Sequence, residues 1–318
     1  MLTLPVLDIL RANYPGVRIT VMVGPRPRDI FKDNPYVHEV IIYNKYAPLR
    51  EKIRLFFRLK KERFDLIIDL RNTLFGALLP ARFRNSPFLF MSSGIRHMKE
   101  RNLYRLRMAL RHKGPLLETK DRILFVNPED KNYINSLLQR YGIAQKDKIV
   151  IVCPAAGGST RRWEKDKFIQ LCQRLAEHYT VALVGRKDDE ALTRYIKTNC
   201  TGSVTAKTYN RTSRIFDFAG LTNLAQLIVL LQKSSLVVVC DTGVLHLASY
   251  LDVPIVALFG PSDELRYGPW SRKFKVITAA LTCRPCRQPD CRFKTTECMR
   301  EISVSKVFDS IDALLKSC

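Results

Sequence analysis

The segment LVVVCDTGVLHLASYLDVPIVALF, residues 236–259, contains two continuous apolar runs, 236–240 and 254–259, separated by a polar turn and a helical stretch. Such β-branched runs are typical of parallel strands that helices cover on both faces. A strand, a helix and a second strand in this order predict a βαβ unit. The segment therefore predicts a doubly wound α/β domain, and it raises the question of why its first strand ends in Asp241.

The same alternation of strands and helices extends along most of the chain. Strands that alternate with crossover helices form open parallel sheets, and two such series predict two Rossmann-like domains, at 1–145 and 146–318, joined near 141–147. The further predicted strands are 17–23, 37–43, 64–70, 148–154 and 180–185. The predicted helices are 3–13, 129–140, 165–178, 188–198, 223–233, 243–251 and 305–315.

The N-terminal series begins with a helix at 3–13 rather than with a strand. In a doubly wound sheet the first strand lies centrally, and the loop after it faces the ligand crevice. We therefore expect a first domain that lacks this strand and whose sheet is open in its middle.

Length and composition indicate a globular protein. The 318 residues are 46% hydrophobic and 26% charged, and no apolar run reaches the roughly 18 residues of a membrane-spanning helix. The first residues do not combine a cationic region, an apolar run and a cleavage site, so we expect no secretory signal. Nine cysteines without such a signal favour a reducing, cytoplasmic compartment over a disulfide scaffold.

The formal net charge is +23, and residues 51–113 carry 16 Lys and Arg against 5 Asp and Glu. Such a field attracts nucleic acid, an anionic membrane face or a phosphorylated substrate, and a solvated basic surface is the alternative. The stretch 94–114 interleaves Arg and Lys with Leu, Tyr and Met, as amphipathic segments at membrane surfaces do. Nucleic-acid binding is disfavoured because the chain shows no helix-turn-helix, RRM or OB pattern.

Asp241 directly follows strand 236–240, at the sheet edge where open α/β sheets bind their ligands. Gly243 allows a close approach of the backbone, and the amides at the start of helix 243–251, from Thr242 onwards, favour a diphosphate. His246 lies in the first turn of this helix, within reach of the same anion. Asp241 would be repelled by a phosphate, so we expect it to accept hydrogen bonds from sugar hydroxyls. The alternatives are a helix N-cap for Asp241 and a core position for His246.

The segment CPAAGGSTRRW, residues 153–163, follows another predicted strand. Its Gly-Gly-Ser-Thr run can curl into a nest of amides and hydroxyls, and its arginines supply fixed positive charge for a departing diphosphate. It matches neither a Walker A loop nor a G-x-G-x-x-G fingerprint, which disfavours nucleotide hydrolases and dehydrogenases. A plain loop is the alternative. The candidate residues are Gly157, Gly158, Ser159, Thr160, Arg161 and Arg162.

The stretch FGPSDELRYGPW, residues 259–270, follows the next strand at the same edge. Ser262 and Asp263 are expected to face the ligand, although a Pro-bounded turn explains the string as well.

The segment CRPCRQPDCRFKTTEC, residues 283–298, concentrates four cysteines. Four thiolates hold zinc tetrahedrally in structural sites, but such sites more often pair two C-x-x-C turns across a longer loop. Reduced or loosely paired thiols are therefore favoured over a structural zinc ion. The four residues are Cys283, Cys286, Cys291 and Cys298.

The strings PAAGGSTRRW, GLTNLAQLIVLLQKSSLVVVCDTGVLHLA and PIVALFGPSDELRYGPW resemble, in order and spacing, glycosyltransferase family 9, the heptosyltransferases of lipopolysaccharide core synthesis. The resemblance extends through YPGVRITVMVGPRPRDIFKDNPYVHEVI and FDLIIDLRN to nearly the whole chain. It implies a GT-B fold with an acceptor domain, 1–145, and a nucleotide-sugar donor domain, 146–318. It also implies metal-independent, inverting transfer from a nucleotide sugar, usually ADP-heptose. The implied donor contacts are Asp241, Thr242, Gly243 and His246, with Arg161 as the phosphate-binding basic residue.

The chain departs from the family pattern at its beginning. Members usually start with a strand, a Gly-Asp loop and a helix carrying Thr-x-Pro, and the loop aspartate is thought to be the general base. Here MLTLPVL supplies Thr3 and Pro5 of the helix without the strand or the aspartate, and Asp8 lies farther along the helix. We expect a start assigned too late rather than a fragment; a form that binds donor without turnover is the alternative.

The resemblance also implies an anionic, lipid-linked saccharide acceptor, and therefore a peripheral position at the inner face of the cytoplasmic membrane. No cofactor is expected to be required and no nucleic acid is expected to bind. Other readings are a non-catalytic sugar-nucleotide-binding homologue, another GT-B enzyme such as a nucleotide-sugar epimerase, or a nucleic-acid-binding protein. The basic residues expected to hold the acceptor, clustered around one strand end, are Arg58, Lys60, Lys61, Arg63 and Arg71.

Overall fold

The computed structural model describes residues 1–71, 73–86, 91, 94–111, 116–119, 121–201 and 214–316. The chain divides into two compact units, an N-terminal unit of residues 2–125 and a C-terminal unit of residues 126–318.

The N-terminal unit alternates helices with short strands. Strand β1 pairs in parallel with β2, and β3 pairs in parallel with β4, so the described strands form two separate two-stranded sheets. This arrangement agrees with the expectation of a sheet that is open in its middle. The elements are α1 (Leu4–Asn13), β1 (Thr20–Val23), β2 (Glu39–Ile42), α2 (Leu49–Lys61), β3 (Leu66–Ile67), α3 (Leu74–Leu78), β4 (Phe83–Arg84) and α4 (Met98–Leu110).

Helix α4 uses its apolar face inside the N-terminal unit. Leu106 is fully buried, and it packs with Val6, Ile9 and Leu10 of α1. Leu103 and Leu110 pack against the same cluster, whereas Met108 is 39% exposed, so the interpretation of 94–114 as a segment lying on a membrane gains no support from its described part. Residues 112–114 of that segment lie outside the described residues.

The C-terminal unit is built around one six-stranded parallel sheet with the order β10-β9-β8-β5-β6-β7. Its first elements are α5 (Pro128–Arg140), β5 (Ile149–Cys153), α6 (Lys165–Leu175), β6 (Thr180–Leu183), α7 (Glu190–Thr201), β7 (Ile215–Asp217) and α8 (Leu224–Lys233). It continues with β8 (Leu236–Cys240), α9 (Gly243–Tyr250), β9 (Ile255–Phe259), α10 (Glu264–Tyr267), β10 (Phe274–Thr278), α11 (Glu297–Arg300) and α12 (Val304–Lys316).

The strand order reverses between β5 and β8. These two strands are neighbours, with Cys153 opposite Val239, while the chain continues from β5 to β6 on one side and from β8 to β9 on the other. Loops that leave such a pair of strands separate at their carboxyl ends and open a crevice, which is where doubly wound sheets bind ligands. The loops after Cys153 and Cys240 therefore lie where a ligand is expected.

The central strands were predictable because they are buried throughout. Every residue of β5, β8 and β9 is buried, so each strand is a continuous apolar run in the sequence. Strands β7 and β10 were missed, since these edge strands are only partly buried and show no such run.

Helix α5 belongs to the C-terminal unit, which places the boundary at 125/126 instead of the predicted 145/146. The reason is packing: α5 lies against α8. The hydroxyl of Tyr133 in α5 donates a hydrogen bond to the carbonyl of Leu221 at 2.7 Å, and Asn223 Nδ2 donates to Asp130 Oδ1 at 3.2 Å.

Candidate functional site

Asp241 joins three loops at the carboxyl edge of the six-stranded sheet. The hydroxyl of Ser262, which follows β9, donates a hydrogen bond to Asp241 Oδ2 at 2.6 Å. Arg161, after β5, places Nη1 at 3.3 Å from the same oxygen. The structure thus brings together one residue from each of the three strings that the sequence singled out, although they lie far apart along the chain.

The environment of Asp241 accounts for a charged group at the end of a buried strand. Its side chain is 11% exposed, whereas that of Arg161 is 43% exposed. A carboxylate at such a position needs hydrogen bonds and a counter-charge, and Ser262 and Arg161 supply them. The N-cap of α9 is Thr242, so the N-cap alternative for Asp241 is excluded.

The loop after β5 presents some of its predicted residues and buries one of them. Gly157 and Ser159 are exposed, and Ser159–Arg161 form a short 3-10 helix. Thr160 is buried, and its hydroxyl donates to the carbonyl of Pro289 at 3.1 Å. The expectation that the Thr160 hydroxyl faces a ligand is therefore wrong, because the group anchors the loop to the segment 283–298.

Three glycines at this edge have open space where a side chain would stand. A Cβ built on Gly157, Gly158 or Gly243 meets no atom within 4 Å, and none of the three has a left-handed φ. Neither packing nor backbone conformation therefore requires glycine at these positions. Glycines of this kind leave room for a ligand to approach the main-chain amides closely.

His246 lies on the first turn of α9, next to Trp270. Its ring is half-buried and stacks on the indole of Trp270, with ring centroids 5.8 Å apart and planes inclined by 20°. The residue is half-buried and its Nδ1 is enclosed, so its burial alone does not separate the ligand role from the core alternative. The stacking fixes the plane of an imidazole close to the N-terminal amides of the helix.

Two thiols lie immediately behind the site. Burial, with the neighbouring Cys240 thiol as the next contribution, raises the pKa of Cys153 to about 12. Burial likewise raises the pKa of Cys240 to about 12. Both groups are neutral at pH 7, and neutral thiols are poor nucleophiles, so the site is not arranged for a covalent cysteine intermediate.

The cysteine-rich segment 283–298 braces the turn after β9. Arg284 donates from Nε to the carbonyl of Gly260 at 2.6 Å and places Nη2 at 3.1 Å from Glu264 Oε2. Arg287 forms an ion pair with the buried carboxylate of Asp263, which also accepts from the amide of Leu265 at the start of α10. Asp263 is therefore a structural residue, in contrast to Ser262.

The four cysteines of this segment are free thiols. In the described part of the chain, which includes all four, no group of three or more His, Cys, Asp or Glu is placed to hold a metal ion. The zinc alternative thus gains no support from their arrangement. The segment contacts the site loops through Arg284, through Arg287 and through the Pro289 carbonyl that accepts from Thr160.

We expect the Arg284→Ala substitution to lower the free energy of unfolding by about 3 kcal/mol, because it leaves Glu264 and the Gly260 carbonyl without a buried partner. The Arg284 side chain is only 8% exposed. A matched control is Arg272→Ala, which removes an ion pair to Asp252 from an arginine that is 90% exposed, with an expected cost of under about 1 kcal/mol. Urea unfolding of both variants measures the difference, and equal losses would contradict the bracing role of Arg284.

The basic residues expected on the acceptor side are not gathered at one strand end. Arg58, Lys60 and Lys61 lie in the last turn of α2, where Arg58 pairs with Glu39. Arg63 precedes β3 whereas Arg71 follows it, so the strand separates the two ends of the predicted cluster. Helix α2 itself was missed, because its charged residues had been considered only as a basic cluster.

The sequence of residues 52–297 matches the family model described as glycosyltransferase family 9 (heptosyltransferase). The match covers well over half of the chain. The chain belongs to glycosyltransferase family 9. It is a glycosyltransferase, and the family predicted from its motifs is confirmed.

Two relatives align with all or nearly all of this family member. It is 27% identical to lipopolysaccharide heptosyltransferase 3 of Escherichia coli, with 100% of this chain and 96% of that protein aligned. It is also 27% identical to lipopolysaccharide heptosyltransferase 2 of Salmonella typhimurium strain LT2, over 96% and 92% of the two chains.

The solved structure of E. coli ADP-heptose lipopolysaccharide heptosyltransferase II superposes with a TM-score of 0.73 at 23% identity, covering 99% of this chain and 95% of that one. This likeness confirms the predicted GT-B fold.

Proposed function

We propose that this glycosyltransferase transfers a heptose, or a related sugar, from a nucleotide-diphosphate donor to an anionic, lipid-linked saccharide of the lipopolysaccharide core type. The names of its relatives support the sugar and the acceptor, since both relatives above are lipopolysaccharide heptosyltransferases. The name of the superposed structure supports ADP-heptose as the donor.

The observation that carries the proposal is the Arg161–Asp241–Ser262 cluster beside the open glycines Gly157 and Gly243. A diphosphate fits against the amides at the start of α9, where the helix dipole favours negative charge. Arg161 then reaches the diphosphate, and Asp241, held by Ser262, accepts hydrogen bonds from the sugar hydroxyls.

The reaction that follows from this arrangement is a direct displacement. An acceptor hydroxyl attacks the anomeric carbon from the face opposite the diphosphate and gives up its proton to a general base. The bond from that carbon to the phosphate oxygen breaks, the electron pair stays on the diphosphate, and the configuration is inverted. Arg161 and the α9 amides stabilise the charge that develops on the leaving group, without a metal ion in this role.

Asp8 does not suit the role of the base. It is buried, and its Oδ1 accepts a hydrogen bond from the amide of Ile123 at 2.7 Å. We therefore assign it to the packing of α1 within the N-terminal unit.

The acceptor and the place of action belong to the same proposal. An acceptor with phosphates and acidic sugars favours the basic N-terminal unit, and a lipid-linked acceptor favours the inner face of the cytoplasmic membrane. No helix in the described part of the chain is long and apolar enough to cross a bilayer. The basic residues proposed to contribute are Arg58, Lys60, Lys61, Arg63 and Arg71.

The direct test is a transfer assay with ADP-heptose and lipopolysaccharide from a strain that lacks core heptose, with the product followed by mass spectrometry. We expect a product heavier by one heptose residue. Tight ADP-heptose binding without any product would instead identify a non-catalytic sugar-nucleotide binder. Conversion of the free sugar nucleotide into an epimer would identify a different GT-B enzyme. Steeply salt-dependent binding to duplex DNA, without affinity for ADP, would contradict the proposal.

The Gly243→Ala substitution tests whether glycine is needed at this position for ligand binding or for folding. Since the new Cβ meets no atom of the chain and alanine favours a helix, we expect the free energy of unfolding to stay equal or rise by up to about 1 kcal/mol. The methyl group would block the approach to the α9 amides, so the Kd for ADP is expected to rise about tenfold or more. Calorimetry and thermal unfolding measure the two effects.

The matched control for Gly243→Ala is Gly24→Ala in the N-terminal unit, where a Cβ also meets no atom within 4 Å. Its Kd for ADP should equal that of the wild type. An unchanged affinity in Gly243→Ala would place the diphosphate away from α9.

A further inference from the structure

Helix α2 presents an apolar stripe on its outer face. Leu49, Ile53 and Phe57 are 71%, 47% and 56% exposed. They are spaced four residues apart, which places them one above another on the same side of a helix. Three large apolar side chains in a row on the exposed part of this helix call for a partner, since exposed patches of this kind mark interaction surfaces.

The stripe continues onto neighbouring loops of the same unit. Tyr46, before α2, and Leu78, at the end of α3, are also exposed. Together with the three stripe residues they line an open cavity of about 1390 Å³. We call these five residues, Tyr46, Leu49, Ile53, Phe57 and Leu78, the apolar rim.

The fold uses an adjacent side of α2. Leu59 is buried with Ile41 and Phe75, and the partly buried Phe56 packs against the same cluster. The rings of Phe56 and Phe75 lie 6.5 Å apart. One side of the helix thus joins this core cluster of the N-terminal unit, and the stripe residues on the neighbouring side stay outside it.

The surroundings of the apolar rim are strongly basic. Helix α2 carries six Lys or Arg against one Glu. Lys45, Lys52 and Arg71 line the same cavity as the rim, and Arg50 and Arg54 are exposed beside the stripe. Cations that border an apolar surface fit the anionic headgroups of a bilayer, to which each of them is attracted near the surface.

We propose that the apolar rim and the basic residues around it dock the protein onto an anionic phospholipid bilayer, with α2 lying in the plane of the interface. The 13 residues of α2 extend only about 20 Å, which is shorter than the roughly 30 Å hydrocarbon core, so the helix lies on the membrane instead of crossing it. Leu49, Ile53 and Phe57 enter the boundary between headgroups and acyl chains, while the arginines and lysines remain with the phosphates. This surface stands independently of the donor site, and it would bring the enzyme to a lipid-linked acceptor.

Vesicle co-sedimentation of the full chain tests the proposal, with vesicles of phosphatidylcholine alone and of phosphatidylcholine mixed with phosphatidylglycerol. We expect binding to the mixed vesicles only. The Leu49→Ser/Ile53→Ser/Phe57→Ser variant should lower the partition coefficient about tenfold or more, since each removed side chain loses apolar burial in the lipid. Both variant and wild type should bind ADP equally, so a failure here is distinguishable from a failure of the proposed function.

A matched control replaces three apolar residues of similar exposure elsewhere, namely Leu117, Leu265 and Phe293, which are 66%, 52% and 57% exposed. The Leu117→Ser/Leu265→Ser/Phe293→Ser variant should retain full vesicle binding. Equal losses in the two triple variants, or no binding of the wild type to anionic vesicles, would overturn the proposal.

A second variant keeps the proposal testable if the serine triple variant does not fold. Phe57→Trp preserves an aromatic residue at the stripe, and brominated phospholipids should quench its emission in mixed vesicles well beyond the quenching of the wild type. Absence of added quenching would contradict insertion of α2.

The oligomeric state gives a further outcome. If the wild type is a dimer that does not bind vesicles, and replacing the stripe dissociates it, the face binds a second copy of this chain instead.

Discussion

Replacing Arg161 by alanine is expected to lower kcat for sugar transfer about 100-fold or more. Its Nη1 lies 3.3 Å from Oδ2 of Asp241, the residue that precedes the N-cap of α9. Removing one group that stabilises charge on a leaving group typically costs a factor of about 10² to 10³ in kcat. Removing Arg161 also takes the counter-charge from Asp241, whose side chain is 11% exposed, so the free energy of unfolding should fall by about 1 to 2 kcal/mol. Steady-state kinetics with ADP-heptose and urea unfolding measure both quantities.

Two comparisons separate the position of Arg161 from its charge. Arg161→Lys keeps the charge but loses the planar fork, so we expect partial activity between that of the wild type and that of the alanine variant. Arg162→Ala removes the neighbouring arginine, which is exposed, and should change kcat far less. If Arg161→Ala and Arg162→Ala reduced kcat equally, Arg161 would act only through the general basic field of the loop.

Replacing Asp241 by asparagine is expected to raise the Kd for ADP-heptose about 10- to 100-fold, which is the range for losing a hydrogen bond to a charged group. The asparagine side chain has the same shape, and its carbonyl still accepts from the Ser262 hydroxyl, which lies 2.6 Å from Asp241 in the wild type. The fold should therefore be nearly as stable as the wild type. The affinity for ADP alone should change much less, because Asp241 is assigned to the sugar and not to the diphosphate.

The control for Asp241→Asn is Ser262→Ala, which removes the hydroxyl that holds the carboxylate but leaves its charge. If Asp241 contacts the sugar, Ser262→Ala should weaken ADP-heptose binding severalfold less than Asp241→Asn does. If Asp241 only supports the loops, the two variants should lose affinity equally, and ADP and ADP-heptose should be affected alike. Calorimetric titrations of both nucleotides against both variants distinguish these outcomes.

The strands and the helix at the centre of the C-terminal unit could be predicted from the sequence because they are buried. Strands β8 and β9 and helix α9 are buried elements, so their apolar residues recur at the spacing that each structure requires. The end of the apolar run also predicted that Asp241 lies at the carboxyl edge of the sheet, directly after β8. The family motifs predicted Arg161 beside Asp241, and the two side chains lie 3.3 Å apart.

Contacts between distant segments were beyond such reasoning. Thr160 was expected to face a ligand, but its hydroxyl donates to Pro289, 129 residues away. Asp263 was expected in the site, but it pairs with Arg287. The identity of a Thr or Asp side chain does not reveal which of several polar partners it meets, because such partners come from tertiary packing.

The two basic helices α2 and α4 show what composition alone does not decide. Residues 94–111 have the composition of an interfacial segment, yet α4 packs its apolar residues against α1. Helix α2 was considered only for its charges, although it is the helix whose Leu49 and Phe57 remain exposed. Composition identifies an amphipathic helix, but only packing decides whether its apolar face is used inside the fold.

A crystal structure of the protein with ADP tests the central claim most directly. The account predicts that the diphosphate lies against the amides at the start of α9, with Arg161 in contact with a phosphate oxygen and His246 on the same side. A diphosphate bound away from both Gly243 and Arg161 would contradict it.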